Sequence, residues 1–188
     1  MLAVYLSGLD GVEHYAWKYW EPEGFEVPDE ELDRYRELIP DYYAFVDSLV
    51  GKMIELAEDD TYVVVVSDHG FRAISPELRE VTPPGISGAH WDGPPGIFLM
   101  VGPHVRRDVT LQGVGVLDVT PTVLYALGLP VAEDFNGNVL LDAFEEGYVR
   151  SHPVRKLPTC GPRETGTPIP SAADREYFDR LRALGYAK

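Results

Sequence analysis

Apolar positions along this chain follow two periods, and the switches between them mark its elements. Tyr62–Val66, YVVVV, puts β-formers in an unbroken row that stops at Ser67, Asp68, His69 and Gly70. A short apolar run bounded by polar residues and glycine predicts a strand buried on both faces within a parallel sheet. Leu2–Leu6 is a second β-type run, broken by turn chemistry at 7–11, and Ile97–Val101 is a third, closed by Gly102 and Pro103. The helical period appears between them. Asp10 reads as the N-cap of a helix through Val12 to about Trp20, and Asp29 as the cap of another to about Ile39. Pro40 is tolerated only at a first turn, so a separate helix is expected from about Asp41 to Glu58. On it Phe45, Val46, Leu49, Val50, Met53, Ile54 and Ala57 form an apolar stripe suited to packing on a sheet.

Further along, 72–95 shows no clear period and predicts a long loop, of the kind that in compact domains is functional or disordered. Asp118–Thr122 offers a helix start with a capping side chain and an early proline, and Gly128-Leu129-Pro130 a stop. Phe135–Asn138 is turn chemistry ahead of Val139–Leu141. Proline, glycine and charge then dominate 145–172, which reads as an irregular surface strap, and 174–184 reads as a terminal helix. No internal repeat and no second domain are legible, so the expectation is one α/β domain over 1–188.

Composition narrows the function. The 188 residues are 45% hydrophobic and 11% aromatic, as in a folded globular protein. Sixteen basic against thirty-one acidic residues leave a net charge of −15, a field that repels nucleic-acid polymers. Small phosphate esters are still admissible partners where bound dications invert the local field. The single cysteine, Cys160, excludes an intramolecular disulfide and has no companion for metal binding. No apolar run has the length of a membrane span, and no targeting signal is legible.

Candidate chemistry gathers at the ends of the predicted elements. Asp68 and His69 follow the strongest strand, where ligands sit in open α/β sheets, and a carboxylate beside an imidazole suits a divalent ion, zinc above all. Asp10 follows the first strand, and His14 lies one helical turn later on the same face, the spacing at which two side chains share an ion. His90, in Ser87-Gly88-Ala89-His90, can be swung over the strand ends by its neighbouring glycines. Two histidines and a carboxylate leave a zinc with an open position for water or substrate. Trp17, Tyr19 and Trp20 read as anchors of their helix rather than a stacking platform, Lys18 as a solvated lysine on the His14 face, and His104 and His152 as loop histidines.

The order Asp-x-x-x-His, Ser-Asp-His-Gly, Gly-x-His resembles the alkaline phosphatase superfamily. The stretches VYLSGLDGVEHYAWKYWEP, VVVVSDHGF, SGAHWDGPPGIFLMVGP and LDVTPTVLYALGLP are similar to its type I phosphodiesterase/nucleotide pyrophosphatase branch, from about Ala3 to Leu141, and LRALGY is a similar ending. The resemblance implies a three-layer α/β/α sandwich with a largely parallel sheet, N-terminally truncated here. It also implies two divalent ions, zinc the best fit. One would be held by Asp10, His14 and His90. The other would be held by Asp68 and His69 with an Asp and a Thr or Ser from a preceding segment, that hydroxyl being the nucleophile. Ser7 does not match it, because the family's hydroxyl begins a helix far upstream, so no catalytic nucleophile is assigned to this chain. Sulfatases usually carry Asn where His69 stands, and cofactor-independent phosphoglycerate mutases share the ligand order without the flanking segments. The expected function is that of a two-metal phosphoric-ester hydrolase carrying most metal ligands but not the nucleophile. The alternative is a stand-alone, non-catalytic zinc-binding module or an inactive fragment. A missing N-terminal segment would leave sheet edges and apolar surface open, and self-association is the expected consequence.

Overall fold

The structure is a computed structural model, and it describes residues 1–79, 82–91 and 93–161. The terminal helix expected over 174–184 lies outside the described residues. The described chain forms two compact units, one from residues 1–55 and 69–95, the other from 56–68 and 96–161.

The first unit is built on three helices. Helix α1, Gly8–Trp20, begins earlier than expected: Asp10 lies inside its first turn, Ser7 occupies the N-cap, and Ser7 makes no side-chain capping bond. A carboxylate in a first turn still gains from the helix dipole, and that position leaves it free to point along the His14 face. Helices α2, Asp29–Tyr35, and α3, Leu38–Glu55, are separate, and Pro40 falls in the first turn of α3, where no amide donor is needed. Helix α3 packs on α1, yet its stripe is only partly covered, with Phe45 and Ile54 each about half exposed. Leu2–Leu6 forms no strand.

The 72–95 segment is more ordered than its sequence suggests. Strand β2, Arg72–Ala73, and helix α4, Pro76–Arg79, precede strand β3, Gly88–Ala89, which pairs antiparallel with β2 in the register Arg72↔Ala89 and Ala73↔Gly88. Ile74, Ile86 and Ala89 form a small core, with Phe25 and Leu78 packed against it. Arg79 holds the 22–28 loop down by donating to the Gly24 carbonyl and lying over the Phe25 ring, 3.8 Å from its centroid.

In the second unit strand β1, Val63–Val66, pairs antiparallel with β4, Phe98–Val101, with Val63 opposite Val101 and Val66 opposite Phe98. This corrects the expectation of a parallel, doubly buried strand: β1 is only partly buried and Val66 is 50% exposed. An unbroken apolar run shows that both faces can be covered. The direction of its neighbour is set by how the chain returns, and here it returns antiparallel. The core lies elsewhere, around Tyr125, Ala126, Ala143 and Phe144. Helix α5, Val119–Ala126, follows a single 3₁₀ turn at Val116–Asp118 and ends where Gly128 takes φ +67°. Asp118 does not cap α5 as the sequence suggests. Its carboxylate accepts from Gly115 N at 2.9 Å and from Asn138 N at 2.7 Å, pinning the Phe135–Asn138 turn instead. Strand β5, Val131–Ala132, pairs parallel with β6, Lys156–Leu157, and helix α6, Glu146–Ser151, lies between them in sequence, so 146–151 and 156–157 are regular where an irregular strap was expected. Mixed α/β character is thus present, in short two-stranded sheets among the described residues.

Candidate metal centre

Helix α1 supplies two side chains one turn apart. Asp10 keeps its side chain 25% exposed, whereas His14 is fully buried, and Asp10 Oδ1 lies 3.8 Å from His14 Nε2. His14 Nδ1 is 2.8 Å from the Gly88 carbonyl oxygen. A carbonyl only accepts, so Nδ1 carries the proton and Nε2 presents its lone pair toward Asp10. That tautomer, fixed by a backbone carbonyl on the far nitrogen, is the one a metal-ligating histidine uses.

His90 follows β3 directly and completes a trio: the ligand atoms of Asp10, His14 and His90 lie within 4.8 Å of one another. Its ring stands edge-on to His14 at 5.4 Å and stacks on His69 at 4.3 Å. His69 reaches the same carboxylate, with Nε2 3.9 Å from Asp10 Oδ1, and is held by an isolated antiparallel bridge to Pro95 and by Gly70 N donating to Pro94 O at 2.8 Å. Separations of 3.8 and 3.9 Å are too long for hydrogen bonds. Two ligands on a tetrahedral zinc stand roughly 3.3 Å apart, so small side-chain rotations bring the trio to an ion. The donor set of two imidazoles and one carboxylate therefore fits a divalent metal.

Asp68 lies two residues beyond the end of β1, in the second unit, adjacent in sequence to His69. His104 and His152 serve packing, each stacked on Tyr148, at 4.5 and 4.2 Å. Trp17 stacks on Phe71 at 6.0 Å and Tyr19 packs on Tyr35 at 5.1 Å, in keeping with anchoring roles, and Lys18 lies over the Tyr19 ring.

Three features escaped the sequence reading. Phe71 is buried and touches His14, His69 and His90, at ring separations of 4.8, 5.5 and 5.6 Å. Its spacing, two residues after His69 in an extended stretch, was the available signal, since alternate residues share a face. Glu13 is buried beside the trio and accepts from the Tyr43 hydroxyl at 2.8 Å, tying α1 to α3. Ser87 and Gly88 lie directly against the α1 backbone, a contact no residue pattern announces.

These surroundings set the protonation states. Burial lowers the His14 pKa, against the opposing pull of the Gly88 carbonyl and Asp10, and keeps the ring neutral as a ligand must be. Burial raises the Glu13 carboxyl, which the Tyr43 bond partly offsets, and Tyr43 is pushed up to about 12 by burial and by that same bond.

Residues 1–85 match the family model for type I phosphodiesterase / nucleotide pyrophosphatase. Over 125 residues the chain is 30% identical to the arylsulfatase K of Homo sapiens, a match covering 62% of this chain and 22% of that relative. The chain thus spans well under two thirds of the curated relative it matches. No solved structure matches it.

Proposed function

We propose that the chain, on these two likenesses a member of the alkaline phosphatase superfamily, forms part of a two-metal phosphoric-ester hydrolase of the phosphodiesterase/nucleotide pyrophosphatase type. Asp10, His14 and His90 are the ligands of one divalent ion, best zinc, and Asp68 and His69 are ligands of a second. The observation carrying this reading is the trio itself, with ligand atoms within 4.8 Å and the His14 tautomer fixed by Gly88. Divalent ions so held would supply Lewis acidity toward a phosphoryl oxygen and a lowered pKa for bound water. The chain's own part is to keep His14 neutral, hold Asp10 between two imidazoles, and shield the cluster with Phe71. The substrate class is a small phosphate ester.

The nucleophilic hydroxyl is proposed to lie outside these residues. Ser87 is 1% exposed and committed to the α1 backbone, and the Thr82 hydroxyl donates to the Leu78 carbonyl at 2.6 Å, so neither is presented to a substrate. The whole domain would then be the three-layer α/β/α sandwich with a largely parallel sheet, to which these units contribute the C-terminal part. A second reading, a non-catalytic zinc-binding module, is favoured by one observation: Asp10, His14 and His90 all fall within one compact unit.

Metal analysis after dialysis tests the site. About one tightly held zinc per chain is expected, because three protein ligands retain an ion better than two. His90→Ala should lower that content, and an unchanged content would sink the assignment. Activity separates the two readings. Supplying the hydroxyl-bearing segment in trans should turn over bis(p-nitrophenyl) phosphate faster than p-nitrophenyl sulfate. A zinc-loaded chain inert under every such reconstitution supports the module, while turnover by the chain alone at about 1 s⁻¹ or more would place the nucleophile within it.

A further inference from the structure

The buried Ser87 hydroxyl occupies an unusual place. It accepts from the Lys18 amide at 3.2 Å and donates to the His14 carbonyl at 3.3 Å. Those two groups, four residues apart, are the ones a regular α-helix joins to each other. Ser87 N also donates to His14 O, at 2.7 Å, and the next residue accepts from the His14 ring. On the other side Ser87 O accepts from Ile74 N at 2.9 Å, so 87–89 is held between α1 and β2. Two residues after Gly88 the chain presents His90.

We infer that Ser87 is a positioning residue for the metal centre, its hydroxyl splicing the His90-bearing strand into the 14–18 turn of α1 and so fixing the spacing of His14 and His90; this rests on the proposed metal site. A hydroxyl bonded to both groups of one helical step competes with that step, and the His14 ring is carried at its carbonyl end. Without the hydroxyl, the Lys18 amide and the His14 carbonyl are left to each other, the tie to the 87–89 segment is weakened, and His14 shifts relative to His90. Ser87 does not reach the ion's ligand atoms. It acts through the backbone of one ligand and the chain leading to the other.

The test uses the 188-residue chain as wild type, Ser87→Ala and Ser87→Cys, which keeps the branching but is somewhat larger and hydrogen-bonds weakly. In the metal-free arm, NMR follows the His14 Nδ1 proton and amide exchange at Lys18. Ser87→Ala should speed exchange of that imidazole proton at least tenfold and move the Lys18 amide resonance, while amides of α3 keep their rates. In the metal arm, chelator competition should give a zinc Kd weaker by about ten- to a hundredfold for Ser87→Ala, with Ser87→Cys between it and wild type. An unmoved Lys18 resonance and His14 exchange rate in Ser87→Cys overturns the splice, even if Ser87→Ala fails to fold. A zinc Kd unchanged despite altered exchange overturns its positioning role. A wild-type chain that binds no zinc ends the metal reading separately, and overturns the inference with it as far as an ion is concerned, leaving the splice to be decided by the metal-free arm.

Discussion

Gly88→Ala is the sharpest perturbation of the way the two halves of the trio are joined. A Cβ built on Gly88 overlaps the Glu13 carbonyl oxygen and lies 3.0 Å from the Trp17 Cβ. Neither neighbour is the loose end of a flexible side chain, since one is helix backbone and the other the first atom of a half-buried indole. Restoring ordinary contact distance requires β3 and α1 to part by about 1 Å. Overpacking of this kind costs about 1–3 kcal/mol, and parting the elements also stretches the 2.8 Å bond from His14 to the Gly88 carbonyl, worth about 1 kcal/mol net. A loss of about 2–4 kcal/mol in the unfolding free energy is therefore expected, read by urea denaturation at constant m. Because His14 and His90 separate as well, the zinc Kd should weaken by about ten- to a hundredfold, measured well below the transition where both proteins are folded. A variant within about 0.5 kcal/mol of wild type with an unchanged zinc Kd would show that β3 does not lie against α1, and the account of the site would fall with it.

Gly51→Ala is a contrasting glycine substitution, since nothing lies within 4 Å of a Cβ at that position in the 18-residue helix α3. It should stabilise the chain by about 0.5–1 kcal/mol, and a destabilisation in thermal melts would contradict the open space assigned there. Phe144→Ala removes the largest fully buried side chain among the described residues, packed edge-on to Tyr125 at 5.1 Å. It should cost about 3–5 kcal/mol by denaturant titration, and a cost below about 1 kcal/mol would mean that the core centres elsewhere. In the metal-free chain, the lowered His14 pKa means that folding holds fewer protons there than the unfolded chain does. This contribution is fully present above the unfolded value of about 6.5 and is lost as pH falls through the lower folded pKa, so His14→Gln should flatten that acid-side slope, and an unaltered slope would refute it.

Much of the fold's punctuation was readable because it is local. Pro40 is tolerated in a first turn and Gly128 takes the left-handed conformation that stops a helix, so the existence of a break between α2 and α3 and the end of α5 follow from single residues, though the break falls at 36–37 rather than at Pro40. Pairing sense was not readable, because YVVVV records what covers a strand and not which way its neighbour runs. The 72–95 segment defeats periodicity for another reason. Strands of two residues and a helix of four are too short to repeat a pattern, and their order comes from the Ile74, Ile86 and Ala89 core and the Arg79 clamp. Asp118 shows the same limit at one side chain: its type is that of a cap for α5, but Gly115 N three residues back holds one oxygen and a turn twenty residues away holds the other.

At the candidate site, the side chains that can bind an ion announce themselves by type, and Asp10 and His14 also by spacing on a helix. The residues that hold them carry no such mark. Ser87, Gly88 and Phe71 are ordinary letters whose importance arises only when distant backbone comes within contact, in this case 73 residues apart between Ser87 and His14. The sequence places this serine only within a long loop, and its role has a physical reason that a loop does not show: the glycine is small so that the strand can touch a helix, and the hydroxyl bonds the helical groups at that contact. Each depends on the other, since a Cβ at Gly88 would push the hydroxyl out of reach, and without the hydroxyl the part-buried Lys18 amide would lose its tie to the strand. The Ser-Gly pair is therefore one device, and it is the part of the site whose removal distinguishes a built metal centre from three ligands that merely lie near one another.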